Sequence, residues 1–79
     1  MSRARDVVEV IGRALADQPD AVSVTEGEGR DGTRVELSTT GQDLGRMIGR
    51  QGRTASSIRA LAELAADTEG RRVTVDFVD

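Results

Sequence analysis

The apolar residues change their spacing three times along the chain, and that order limits the fold more than any other feature. Ala4, Val7, Val8, Ile11 and Leu15, with Ala14 beside them, recur at the three- and four-residue intervals of one helical face. Ser2 precedes them as a helix cap. Gln18-Pro19-Asp20 ends the segment, because proline disfavours α geometry in the residue before it. The period then falls to two: Val22 and Val24 alternate with Ser23 and Thr25, and Val35 and Leu37 with Arg34, Glu36 and Ser38. Between the two runs lies Gly27-Glu28-Gly29-Arg30-Asp31-Gly32, with Asp31-Gly32 the strongest turn signal, so the pair reads as a β-hairpin. Helical spacing returns with Leu44, Met47 and Ile48. Thr40 is the cap and Asp43 lies near the positive end of the helix dipole, and the helix stops at Gly49. A further helix opens near Thr54, carries Ala55, Ile58, Leu61, Ala62 and Ala65 on one face, and ends before Gly70. Val73, Val75 and Phe77 alternate in a final strand.

The resulting order is α-β-β-α-α-β, an α+β chain. A strand returning to its own sheet through two helices pairs in parallel, whereas the hairpin strands are antiparallel. The expected architecture is a three-stranded mixed sheet with three helices packed on one face, one domain spanning residues 1–79. One Phe and no Trp or Tyr leave Val, Leu, Ile and Ala to build the core. At this size the core is modest and stability marginal.

Composition removes several chemistries. Cys and His are both absent, which excludes disulfides, thiol nucleophiles, imidazole acid–base catalysis and Cys/His zinc sites. No cofactor, metal or catalytic residue is expected. Glu63, Asp67 and Glu69, like Glu26, Glu28 and Asp31, accompany no nucleophile or metal set and read as surface solubility. No apolar run approaches the ~20 residues of a membrane span, and the first residues lack a signal-peptide core, so a cytoplasmic protein is expected. A net charge of −3 argues against nucleic acid until its distribution is considered. Between Leu44 and Ala62 the only charges are Arg46, Arg50, Arg53 and Arg59, a local +4 that leaves −7 on the remainder. Such a patch on an acidic body can attract phosphate locally while the rest resists adhesion. Every basic residue is Arg, a planar fork suited to phosphate, although a GC-rich genome accounts for the same usage.

The most informative segment is Leu44-Gly45-Arg46-Met47-Ile48-Gly49-Arg50-Gln51-Gly52-Arg53-Thr54. Two glycines three apart between helices allow a tight turn that a ligand can approach closely. The helix after Gly52 directs free N–H groups and its positive dipole end at that turn, where Arg50 and Arg53 add charge. The implied ligand is an anion. A mononucleotide P-loop aligned on Gly52-Arg53-Thr54 fails, with Met47 at the first Gly and Arg53 at the Lys; a dinucleotide fingerprint ending at Gly52 also fails at Met47. A G-x-x-G turn can also do no more than join two helices.

Ile48-Gly49-Arg50-Gln51-Gly52 between two helices resembles the I-G-x-x-G signature of KH domains, and the element order is similar to the type II arrangement. Residues Asp43 to Ala55 more closely resemble the stand-alone bacterial KH proteins of the KhpA group, over nearly the whole chain. The resemblance implies single-stranded RNA binding without chemistry, about four nucleotides lying beside the clamp. It also implies a post-transcriptional regulator or RNA chaperone that contacts many transcripts weakly. It assigns Gly49 and Gly52 to shaping the loop, Arg50 and Gln51 to the sugar-phosphate, and Gly45 to close approach of a base. Arg46, Arg53 and Arg59 would attract phosphate, and Ile48 with Val35 or Leu37 would floor an apolar groove. The bland alternatives are a solvated face for Arg59 and a core role for Met47, Ile48 and Ile58. Ala55 departs from the family, in which a larger aliphatic residue often follows the loop, and this leaves the groove's depth open. The absence of surface aromatics removes stacking platforms worth ~1–3 kcal/mol per base, so weak, unselective binding is expected. The family further implies a homodimer, or a heterodimer with a larger KH-containing (Jag-like) protein, for which Val78 and the sheet edges are candidate surfaces. The competing reading is a protein–protein interaction module on the same fold, its RNA binding vestigial.

Overall fold

The computed structural model describes all of residues 1–79. Ser2 starts the first helix by the mechanism its residue type implies: its backbone is extended and its hydroxyl accepts from the Arg5 N–H at 3.1 Å. Helix α1 then spans Arg3–Leu15. The same cap ties α1 to the sheet, since both the Ser2 hydroxyl (2.6 Å) and amide (2.9 Å) donate to Glu26 Oε1. Those two bonds hold the Glu26 carboxyl below the usual carboxylate range. The buried face of α1 is Ala4, Val8 and Gly12, with Ile11 at its margin; Ala14 and Leu15, placed on that face from their spacing, are exposed. A short 3₁₀ turn at Pro19–Ala21 leads into the hairpin.

Strands β1 (Ser23–Gly29) and β2 (Gly32–Ser38) pair antiparallel, with Val24 opposite Leu37 and Glu26 opposite Val35. The tight turn falls on Arg30-Asp31, one residue before the expected Asp31-Gly32, because β1 continues through the glycine-containing stretch to pair Gly29 with Gly32. Helix α2 (Gly41–Ile48) and helix α3 (Arg53–Asp67) follow, joined through a 3₁₀ turn at Arg50–Gly52. Strand β3 (Val73–Val78) returns parallel to β2, with Val35 beside Val75 and Leu37 beside Phe77. The sheet order β1-β2-β3 puts β2 in the centre and makes β3 an outer strand. This is the α+β arrangement expected from the order of periodicities.

Alternation along the strands separates the two faces. Val24, Val35, Leu37 and Val75 point into one core with Val8 of α1, Met47 of α2 and Ile58 of α3. Thr25, Arg34, Glu36 and Thr74 lie exposed on the opposite, polar face. Ala4, Ala62 and Ala66 are all buried in the same core, small side chains that let α1 and α3 approach closely. Its apolar stripe is wider than the core can cover. Leu61, expected inside, is 49% exposed and Leu64 is 65% exposed, while Ala55, Ile58, Ala62 and Ala66 fill the buried side.

Candidate nucleic-acid interface

Helix α2 has only eight residues, far too few to persist alone, so its position must come from tertiary anchors. Met47 is one, fully buried in the core. The other is Asp43. It is buried, and its two carboxylate oxygens accept the backbone N–H groups of Asp17 (3.0 Å) and Gln18 (3.1 Å) in the segment after α1. These bonds, with a lesser contribution from Arg46, hold the Asp43 carboxyl below its ordinary range. Its role is therefore a tether between α2 and the α1–β1 connection, beyond the dipole interaction read from its position. Thr40 occupies the cap position with extended backbone, but its side chain makes no capping hydrogen bond.

The loop itself is built from unusual backbone. Gly49 ends α2 by donating to the Gly45 carbonyl at 2.9 Å and turns to φ +76°. Gln51 (φ +57°) and Gly52 (φ +72°) are left-handed as well, so three of the four loop residues have positive φ. Gln51 is the one non-glycine residue of the chain in that state. Gly49 has a second constraint: a Cβ there would overlap the Thr54 hydroxyl and sit 2.8 Å from Thr54 Cβ. The two glycines of the sequence signature thus differ, since a Cβ on Gly52 would meet open space. Helix α3 begins immediately afterwards, and with Gly52 at its cap no side chain accepts from its first-turn N–H groups.

The side chains assigned from the sequence differ in how free they are. Arg50, Gln51 and Arg53 are exposed, and neither arginine belongs to an ion pair. Ile48 is partly exposed next to the loop, and Gly45 presents a bare helical surface one turn earlier. Arg46 is exposed yet engaged, its Nη1 donating to Asp17 Oδ1 at 2.6 Å. Val35 and Leu37 cannot floor a groove, because both are completely buried on the central strand. Arg59 is not a freely solvated side chain either. Its Nε donates to the Val75 carbonyl of the outer strand at 3.1 Å, and its guanidinium lies 5.2 Å from the Phe77 ring centroid. The helical pattern could not supply these partners, which lie on a different element. The loop region forms a cationic turn with exposed Arg50 and Arg53; the largest concave surface, about 450 Å³, lies elsewhere, between α1 and α3 beside Val7, Leu61, Leu64 and Ala65.

Residues 5–77 match the family model described as KhpA/KhpB, KH domain. RNA-binding protein KhpA of Caldanaerobacter subterraneus subsp. tengcongensis is 42% identical over 73 residues, covering 92% of this chain and 97% of that protein. The protein of the same name from Aquifex aeolicus is 35% identical over 79 residues, the full length of both. Its namesake in Mycobacterium leprae is 43% identical over 74 residues, 94% of this chain and 89% of its own. Among solved structures, Aquifex aeolicus Era bound to GDP·AlF4− superposes with a TM-score of 0.69 at 19% identity, covering 95% of this chain. Era in complex with MgGDPNP and nucleotides 1506–1542 of 16S ribosomal RNA gives 0.67 at 20% identity. This chain spans 29% of either Era chain, and at such identities the likeness is one of fold.

Proposed function

Because this chain belongs to the KhpA/KhpB family of KH domains, we propose that it binds single-stranded RNA at the Gly49–Gly52 turn, as a binding protein that catalyses nothing. The observation that carries the reading is the coincidence of three features at one turn. These are left-handed backbone that brings the main chain to the surface, the uncapped start of α3, and two arginines without acidic partners. Phosphates of a strand would be held by Arg50, Arg53 and the first-turn amides, with Gln51 on the sugar-phosphate. Gly45 and Ile48 offer a bare apolar surface for a base. With no aromatic side chain at the turn, affinity comes mainly from charge, which suits weak contact with many transcripts in the cytoplasm, as expected of an RNA chaperone or post-transcriptional regulator.

Gly45 provides a test that separates binding from folding. A Cβ at this position meets nothing within 4 Å, and alanine is the better helix former by about 1 kcal/mol. Gly45→Ala should therefore raise the unfolding midpoint while weakening RNA several-fold in a fluorescence-anisotropy titration. A variant that is more stable and binds equally well would remove Gly45 from the site.

Weak single sites gain from pairing, and the family reading includes a homodimer or a partnership with a larger KH-containing (Jag-like) protein. The exposed apolar face of α1 and α3, with Val10, Leu61 and Leu64, is a better surface for this than Val78 or the sheet edges, since Val78 is only partly exposed. The same face is what favours the second reading, an interaction module in which RNA is incidental. Light scattering at micromolar concentration should give twice the 8.4-kDa chain mass, and Leu61→Asp should return it to one. A native monomer would eliminate the homodimer.

A further inference from the structure

The four arginines between Leu44 and Ala62 have no acid among them in sequence, yet the fold brings one to them. Asp17, on the segment after α1, meets Arg46 at 2.6 Å, while Arg50 and Arg53 stay unpaired. This acid is held in place. Its own backbone N–H and that of Gln18 are bound by the buried Asp43 carboxylate, which lies one helical turn before Arg46 on α2. Asp43 thus fixes the backbone from which Asp17 reaches Arg46, and α2 holds the dipeptide Asp17-Gln18 at two points.

Resting on the RNA-binding reading above, we propose that Asp17 is an internal competitor for phosphate, occupying the Arg46 guanidinium until a strand displaces it. Both side chains are more than half exposed, so the pair is open to exchange with a ligand oxygen. A phosphate and the Asp17 carboxylate offer Arg46 the same kind of charged acceptor, and only one can take the Nη1 position. The clamp would then meet RNA with Arg50 and Arg53 ready and Arg46 held back. Contact with the third cation requires release of an acid. This lowers retention of sparse or passing phosphates more than that of a strand lying along the whole turn.

The test is anisotropy of a labelled single-stranded RNA over a salt series, using Asp17→Asn, which keeps the N–H bonded to Asp43. Asp20→Asn is the control: it removes the same charge nearby at an exposed residue that has no ion-pair partner. Asp17→Asn should bind about 3-fold tighter at low salt with a nearly unchanged salt slope, because the bound strand contacts Arg46 in both proteins and only the native one must first release an acid. Asp20→Asn should change affinity by much less, and Asp17→Asn should have no effect in an Arg46→Ala background. Equal gains from both Asn variants would reduce Asp17 to general surface charge and overturn the proposal. So would weaker binding by Asp17→Asn, which would make Asp17 a support that orients Arg46. If the native protein retains no RNA at any salt concentration, the binding reading fails instead.

Discussion

Gly49→Ala will destabilise the protein by about 3 kcal/mol, a large share of what a domain this small possesses. Two independent effects add. A side chain at φ +76°, ψ 175°, a region that essentially only glycine occupies, costs about 1–3 kcal/mol, and the new methyl must push Thr54 aside at a further cost of about 1–2 kcal/mol. The unfolding midpoint should fall by roughly 10–25 °C. Gly52→Ala is the comparison: its backbone is left-handed helical (φ +72°, ψ 14°), which alanine adopts at about 1–2 kcal/mol, and a Cβ would have open space. Thermal melts of the two variants should differ by about half the larger shift. Equal losses would show that Thr54 yields freely and that the first glycine is no more constrained than the second.

Replacing Arg50 and Gln51 together by aspartate should abolish RNA retention without disturbing the fold. Both side chains are exposed, and aspartate tolerates the left-handed conformation that Gln51 already occupies. The change removes a cation and adds two anions where phosphate would lie. Losing one charged hydrogen bond and acquiring repulsion should reduce affinity on the order of 100-fold at low salt. For the native protein, three or four phosphates at the clamp predict a log–log salt slope of about −2 to −3. Circular dichroism of the double variant should overlay that of the native chain. Undiminished binding by a folded double variant would place the RNA surface on another part of the molecule.

Much of this architecture was legible because it depends on local period and on residues acting within a few positions of themselves. The Ser2 cap, both helical segments around the loop, the hairpin and the parallel return of β3 all follow from spacing and turn chemistry. The loop was legible for the same reason: two glycines three apart between helices leave few backbone solutions. What escaped depends on partners distant in sequence. Asp43 has the position of an ordinary first-turn acid, and nothing near it reveals that its acceptors face the amides of Asp17 and Gln18. Arg59 occupies an apparently solvated helical position, but the outer strand supplies it with a carbonyl and a ring. Periodicity located the apolar stripe of α3 but not its usable width; Leu61 and Leu64 are left on the open groove between α1 and α3. Val35 or Leu37 is a groove-floor candidate by resemblance, but the central strand buries both.

The placement of the clamp inside the β2–β3 crossover also governs when it comes into being. The hairpin consists of local contacts that can form early, whereas Val35 meets Val75 only after about forty intervening residues have been closed into a loop. Helix α2 is too short to hold its shape before that closure, and the Gly49–Gly52 turn has no framework without the helices on both sides. Folding should therefore assemble the scaffold first and the binding surface last. Loss of β3 would dissolve that surface while the hairpin was still intact. On the proposed reading, RNA would meet either a finished turn or none, and partly folded chains would gain no protection from it.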